Sequence, residues 1–240
     1  MSGKIVSRLS AVLDRVKAAA GSRESVPRVV AVSKLKPIEA ILEAYEAGQR
    51  HFGENYVQEL AEKAKDERVQ LKAPDIKWHF IGHLQKNKCN LLLETANLWM
   101  IETVDSVKLA NALNQTLVRK AKKSVNVFVQ VNTSGEDSKN GCSPDSCVDL
   151  VEHIVKNCHL LDFRGLMTIG QWGHDYSQGS NPDFETLSQC RVSVSEKLSL
   201  PLDAIELSMG MSGDFEEAIA AGSTNVRVGT SIFGEREKKQ

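Results

Sequence analysis

Arg28-Val29-Val30-Ala31-Val32-Ser33-Lys34-Leu35-Lys36-Pro37 is an apolar run that stops at a lysine three residues before a proline. The run has strand length, and Pro37 opens a pattern with apolar residues three or four apart, so the segment reads as strand, turn and helix. An open doubly wound sheet would announce itself with G-x-G-x-x-G after its first strand, and Ser33-Lys34-Leu35-Lys36-Pro37 has nothing of the kind. The same alternation then repeats along the chain. Apolar runs fall at 29–33, 50–53, 77–81, 98–102, 125–131, 162–168, 204–208 and 225–228, with amphipathic stretches at 37–48, 55–66, 84–95, 105–121, 144–157, 182–198 and 214–221. Parallel neighbours need a crossover between them, and eight such strands close a barrel. The expected fold is α/β, a single (β/α)8 TIM barrel over residues 1–240, with an N-terminal helix within 1–26 and a short charged tail at 235–240.

Composition narrows the function. The chain has 240 residues, 30 Lys+Arg against 31 Asp+Glu and a net charge of -1, so neither nucleic acid nor an anionic membrane is an expected partner. No apolar run is long enough to span a bilayer. Five cysteines without a C-x-x-C fit reduced thiols in a cytoplasmic setting. A basic mitochondrial transit peptide is the alternative reading of the N-terminus. Asp14 and the short path into the first strand argue against it, and favour an amphipathic helix with Ile5, Leu9, Val12, Leu13 and Val16 on one face. The chain is read as a monomer.

Chemistry gathers at the strand ends, where barrels of this kind hold their sites. Lys34 places a primary amine at the end of the first strand, and an amine held against low-dielectric surroundings gives up its proton more readily and can condense with an aldehyde. A solvated lysine is the alternative. Ser208-Met209-Gly210-Met211-Ser212-Gly213-Asp214 follows the seventh strand, and its glycines, hydroxyl and free N–H groups make an anion cup. Alternatively, Ser212 or Asp214 merely caps the next helix, with Asp214 and Glu217 as a capping box. Asp214, Glu216 and Glu217 must face away if the cup is to take a phosphate. In Val226-Arg227-Val228-Gly229-Thr230, alternation puts Arg227 and Gly229 on one face, and a buried arginine there needs a ligand or a carboxylate. His79 and His83 lack the helix and the glutamate of a zinc protease, and no metal site is expected. Cys142 and Cys147 read as ordinary thiols. Gly170 to Pro182 is the longest irregular stretch, a candidate mobile loop over the barrel mouth.

Val32-Ser33-Lys34, Phe52-Gly53-Glu54-Asn55-Tyr56, Trp78-His79-Phe80-Ile81-Gly82, Leu84-Gln85-Lys86-Asn87-Lys88, Ser208-Met209-Gly210-Met211-Ser212 and Val226-Arg227-Val228-Gly229-Thr230, in this order, closely resemble the pyridoxal phosphate homeostasis protein family. The resemblance runs from about Pro27 to Gly234. It departs at His83, where the family commonly has proline, and at Cys142, where a hydrophobic residue is usual.

The resemblance implies a barrel of the alanine racemase N-terminal type that carries pyridoxal 5'-phosphate (PLP) as a Schiff base on Lys34. It implies phosphate contacts at Ser212, Gly229 and Thr230, with Arg227 near the pyridine nitrogen and Asn55 close to the cofactor. The rival amine, Lys36, directly precedes Pro37 and should sit in a solvated turn. A donor-only guanidinium beside the pyridine nitrogen keeps that nitrogen unprotonated and weakens the ring as an electron sink. Racemases of the related fold take an opposing tyrosine from an extra β-domain, for which no sequence remains after the eighth strand. A PLP carrier that supplies apo-enzymes, and that has no catalytic residues, is therefore the expectation. A weak amino-acid racemase using Tyr56 or His79 as opposing base is the alternative. A third reading is a barrel enzyme for a phosphorylated metabolite, with Lys34 as an aldolase-type lysine. Gly170 to Pro182 and Leu84 to Glu94, with Lys86 and Lys88, are candidate contact surfaces.

Overall fold

A computed structural model describes residues 3–136, 139–171 and 173–235. The expected tail beyond residue 235 lies outside the described residues, as does Trp172 within the Gly170 to Pro182 stretch.

Eight parallel strands close into a barrel in chain order: β1 (Arg28–Val32), β2 (His51–Glu54), β3 (Lys77–Phe80), β4 (Leu98–Val104), β5 (Val125–Gln130), β6 (Leu161–Met167), β7 (Glu206–Ser208) and β8 (Asn225–Val228). Closure is the pairing of β1 with β8, Arg28 opposite Asn225 and Ala31 opposite Val228. Every expected strand is present to within about two residues at each end. Outside the barrel run α1 (Lys4–Ala20), α2 (Ile38–Glu46), α3 (Val57–Lys65), α4 (Glu67–Lys72), α5 (Cys89–Leu93), α6 (Val107–Arg119), α7 (Pro144–Asn157), α8 (Pro182–Leu198), α9 (Phe215–Ala220) and α10 (Thr230–Phe233).

Two helical stretches differ from their periodicity. The helix expected at 55–66 stops at Lys65, because Asp66 turns extended and caps a second helix, α4, by accepting from the Arg68 N–H. The helix expected at 84–95 shrinks to a 3₁₀ turn at Lys86–Lys88 followed by the five residues of α5.

The main core lies between barrel and helices, where Trp78, Phe52, Phe80, Phe184 and Phe215 are fully buried. α1 packs against α2, α9 and α10, so it occupies the outer-ring place beside the four-residue α10. Its buried stripe is Leu9, Val12, Val16 and Ala20, and Arg15 pairs with Glu216 on α9. Inside the barrel the filling is different. Met100, Phe128 and Met167 form a small separate apolar cluster, and His79, Glu102, Ser208, Asn225 and Arg227 are buried polar residues. Among the described residues no helix is long and apolar enough to cross a membrane.

Candidate functional site

A cavity of about 340 Å³ opens at the C-terminal ends of the strands. Lys34, Asn55, Ser212, Arg227, Gly229 and Thr230 all line it, with Val32, Ile81, Met167, Ile169, Met211 and Gly213 as the remaining wall. The six residues singled out in the sequence therefore come together, from the ends of β1, β2, β7 and β8.

The turn that presents Lys34 is held from both sides. Leu35 has a left-handed backbone at φ 60°, and its N–H donates to Glu59 Oε1 at 2.6 Å. Ser33 Oγ donates to Glu54 Oε1 at 2.6 Å, and Ser33 O accepts from Lys63 Nζ at 2.8 Å. Lys63 in turn pairs with Glu54 at 2.7 Å and with Glu59 at 2.6 Å. Burial pushes the Glu54 carboxyl upward, while Lys63 and Ser33 pull it back. A left-handed leucine costs conformational energy, and this buried carboxylate–amine clamp over-determines it. Sequence reasoning missed Glu54, Glu59 and Lys63, although the i,i+4 spacing of Glu59 and Lys63 was a visible signal.

Arg227 is held through its own side chain. Nη1 donates to Ser208 Oγ at 2.6 Å and Nη2 to the Thr168 carbonyl at 2.7 Å. Neither partner is charged. Burial draws the guanidinium downward from its ordinary value, against Glu102 and Asp214, which raise it. Guanidinium remains a cation throughout, and it lines the cavity.

Ser212 ties two loops together. Its Oγ accepts from the N–H of Gly229 at 3.2 Å and of Ser231 at 3.4 Å, which makes it a staple between the β7 and β8 loops rather than a cap of α9. Asp214 forms no side-chain cap on α9 either, since its Oδ1 accepts from the Met211 N–H at 2.6 Å. Its carboxyl is raised, chiefly by burial, and it borders a neighbouring cavity of about 230 Å³ with Gly173, His174, Tyr176, Met211 and Gly213. The Gly170 to Pro182 stretch thus lies against the β7 loop, and it carries a 3₁₀ turn at Tyr176–Gln178. Glu216 faces α1. Neither Asp214 nor Glu216 is among the residues lining the 340 Å³ cavity.

Several expectations need correction or placing. Lys36 does not sit in a solvated turn: its Nζ donates to the carbonyls of Phe233, Gly234 and Glu235, closing the C-terminal end of α10 as cations commonly do. His79 lies sealed inside the barrel between Glu102 and His51, Tyr56 is exposed, and neither lines the cavity. His83 is exposed and 3.7 Å from Asp105, so the two histidines share no site. Among the described residues no group of three metal-ligating side chains comes together. All five cysteines are free and buried.

A family model described as alanine racemase, N-terminal domain, matches residues 7–237. The chain is 54% identical to the human pyridoxal phosphate homeostasis protein over 235 residues, covering 95% of this chain and 86% of that protein. It belongs to the pyridoxal phosphate homeostasis protein family. A solved relative in the same fold is PipY from Synechococcus elongatus with PLP bound, 32% identical, covering 96% of this chain and all of that one at a TM-score of 0.76. Alanine racemase from Clostridium difficile shares the fold at a TM-score of 0.73 and 13% identity, covering 97% of this chain and 61% of that enzyme. As a member of the homeostasis family the chain thus keeps the barrel that this racemase also contains.

Proposed function

We propose that this chain binds PLP in the strand-end cavity, carries it as a Schiff base on Lys34 and supplies it to apo-enzymes. The observation that carries the reading is the convergence of Lys34, Asn55, Ser212, Arg227, Gly229 and Thr230 on one cavity. The names of the family's members and the PLP-bound relative support it.

The residues present fit the group. Asn55 Oδ1 is buried without a partner at the cavity wall, an acceptor that a bound donor or water would satisfy. A Cβ added to Gly229 would come within 3.3 Å of the Val32 backbone carbonyl, so a side chain there would crowd the approach to the β8 loop. When bound, PLP supplies an aldehyde for an amine and a ring that withdraws electrons. Lys34 would hold the aldehyde carbon through its amine nitrogen, the aldehyde oxygen leaving as water. Ser212 and Thr230, with Gly229 beside them in the cavity wall, would hold the phosphate, the two hydroxyls donating to it. Arg227, able only to donate, favours a ring nitrogen that accepts, which fits a carrier better than a catalyst. Neither His79 nor Tyr56 lines the cavity to act as an opposing base.

Borohydride reduction of the PLP-loaded protein followed by peptide mapping tests the lysine: the pyridoxyl group is expected on Lys34, and its appearance on Lys36 or on no lysine refutes the assignment. Exchange of the α-hydrogen of alanine in deuterated water tests the carrier. Exchange at about 1 per second or faster, lost in Lys34→Ala, would make the chain an enzyme.

A further inference from the structure

Below the cavity, the barrel interior holds a chain of polar groups whose proton positions can be worked out. Ser208 Oγ receives Arg227 Nη1 at 2.6 Å and Asn225 Nδ2 at 2.9 Å. The Asn225 amide is oriented by Arg28, whose Nη1 lies 3.3 Å from Oδ1. Neither the guanidinium nor this amide nitrogen can accept, so the one proton of Ser208 goes to Glu102 Oε2, 2.6 Å away. Asn225 Nδ2 also lies 3.3 Å from Oε1. His79 Nδ1 is 2.6 Å from Oε1, and His79 Nε2 is 2.8 Å from His51 Nδ1. With both oxygens accepting, Glu102 is a carboxylate, and each imidazole below it is neutral with its proton on Nδ1. Burial holds both histidines well below their ordinary value, His51 at about 3.

Arg227 therefore has its counter-charge one hydroxyl away rather than in contact. A direct carboxylate would engage the guanidinium in a two-pronged pair and draw its donors inward. The hydroxyl instead takes one donor and the Thr168 carbonyl another, and the side chain so held lines the cavity.

Resting on the reading that the cavity takes PLP, we infer that Glu102, acting through Ser208, is a positioning residue of the cofactor site: it supplies the buried negative charge that balances and orients Arg227. The charged groups around this line are Lys34 in the cavity, Asp214 at the neighbouring 230 Å³ cavity, and Arg28, Glu206 and Lys77 at the opposite end of the barrel.

The test is a pH titration of the visible absorption of PLP-loaded protein. Glu102→Gln keeps the shape and removes the charge. With a less compensated cation at the cavity, the midpoint of the Schiff-base transition is expected to fall by about one pH unit. Glu102→Asp should restore it. Ser208→Ala, which deletes only the bridging hydroxyl, should move the midpoint the same way, and it stands in should Glu102→Gln not fold. In an Arg227→Gln background the effect of Glu102→Gln should drop to less than half. An unchanged midpoint in both Glu102→Gln and Ser208→Ala overturns the inference, as does an undiminished shift without Arg227. A wild-type protein with no Schiff-base band, or one unaffected by Lys34→Ala, instead refutes the PLP reading itself.

Discussion

The two cationic walls of the cavity are built on opposite plans. On the β1–β2 side the protein grips the backbone around Lys34, through Ser33 O, Ser33 Oγ and the Leu35 N–H, using the charged trio Glu54, Glu59 and Lys63. On the β7–β8 side it grips the Arg227 guanidinium itself, and with neutral partners. If Lys34 carries PLP as proposed, a side chain that has to form and break a bond is aimed here by fixing the turn beneath it. A side chain that must only present charge is best aimed by fixing its tip.

Breaking the lysine wall should have the largest effect. Lys63→Met strips the partner from the buried Glu54 carboxylate and is expected to destabilise the protein by about 3–5 kcal/mol, because an uncompensated buried charge costs that much. Denaturant unfolding measures it, and adding Glu54→Gln should recover part of the loss. A loss equal to that of a surface lysine would mean that the clamp is solvated and the contrast between the walls false.

Ser212→Ala probes the other wall at intermediate cost. Charge-assisted hydrogen bonds contribute about 1.5–3 kcal/mol, so retention of PLP should weaken by roughly tenfold or more, while pyridoxal, which lacks the phosphate, should change far less. Equal losses for both ligands would make Ser212 only the staple between the loops.

An effect that is smallest near neutral pH and grows only with acid sharpens the view of what lies under Arg227. His51 has its proton affinity lowered from 6.5 to about 3 by burial, and then by His79, Arg28 and Lys77. The unfolded chain thus binds more protons on His51 than the folded one between those values, and the stability tied to its neutrality is lost as pH falls from 6.5 toward 3. Above 6.5 it contributes no slope. Thermal melting across this range should show a shallower acid-side decline in His51→Gln than in the parent.

The barrel and four of the cavity residues, Lys34, Ser212, Arg227 and Gly229, were legible in the sequence because strand alternation and strand-end position are local properties, whereas Asn55 and Thr230 came only from the family resemblance. Arg227 and Gly229 share a face by a two-residue period, and Lys34 ends an apolar run. What could not be read were partners joined by closure. Glu102 and Ser208 are 106 residues apart and meet only across the barrel axis, and a lone Glu within Trp99-Met100-Ile101-Glu102-Thr103 gives no sign of which face it takes. The role of Lys36 was misread for the same reason, since its three carbonyl acceptors lie almost 200 residues downstream.

The seating of α1 beside α9 and α10 has a consequence for how the molecule is made. During synthesis the first helix emerges with Leu9, Val12 and Val16 uncovered, and of its three neighbours only α2 follows soon. The rest of its cover, like the β8 edge that β1 must meet, arrives only about 200 residues later. The ring is sealed by its oldest and newest segments together. Such long-range closure is slow and leaves apolar surface open meanwhile, so the nascent chain should lean on chaperones until its last strand is out of the ribosome.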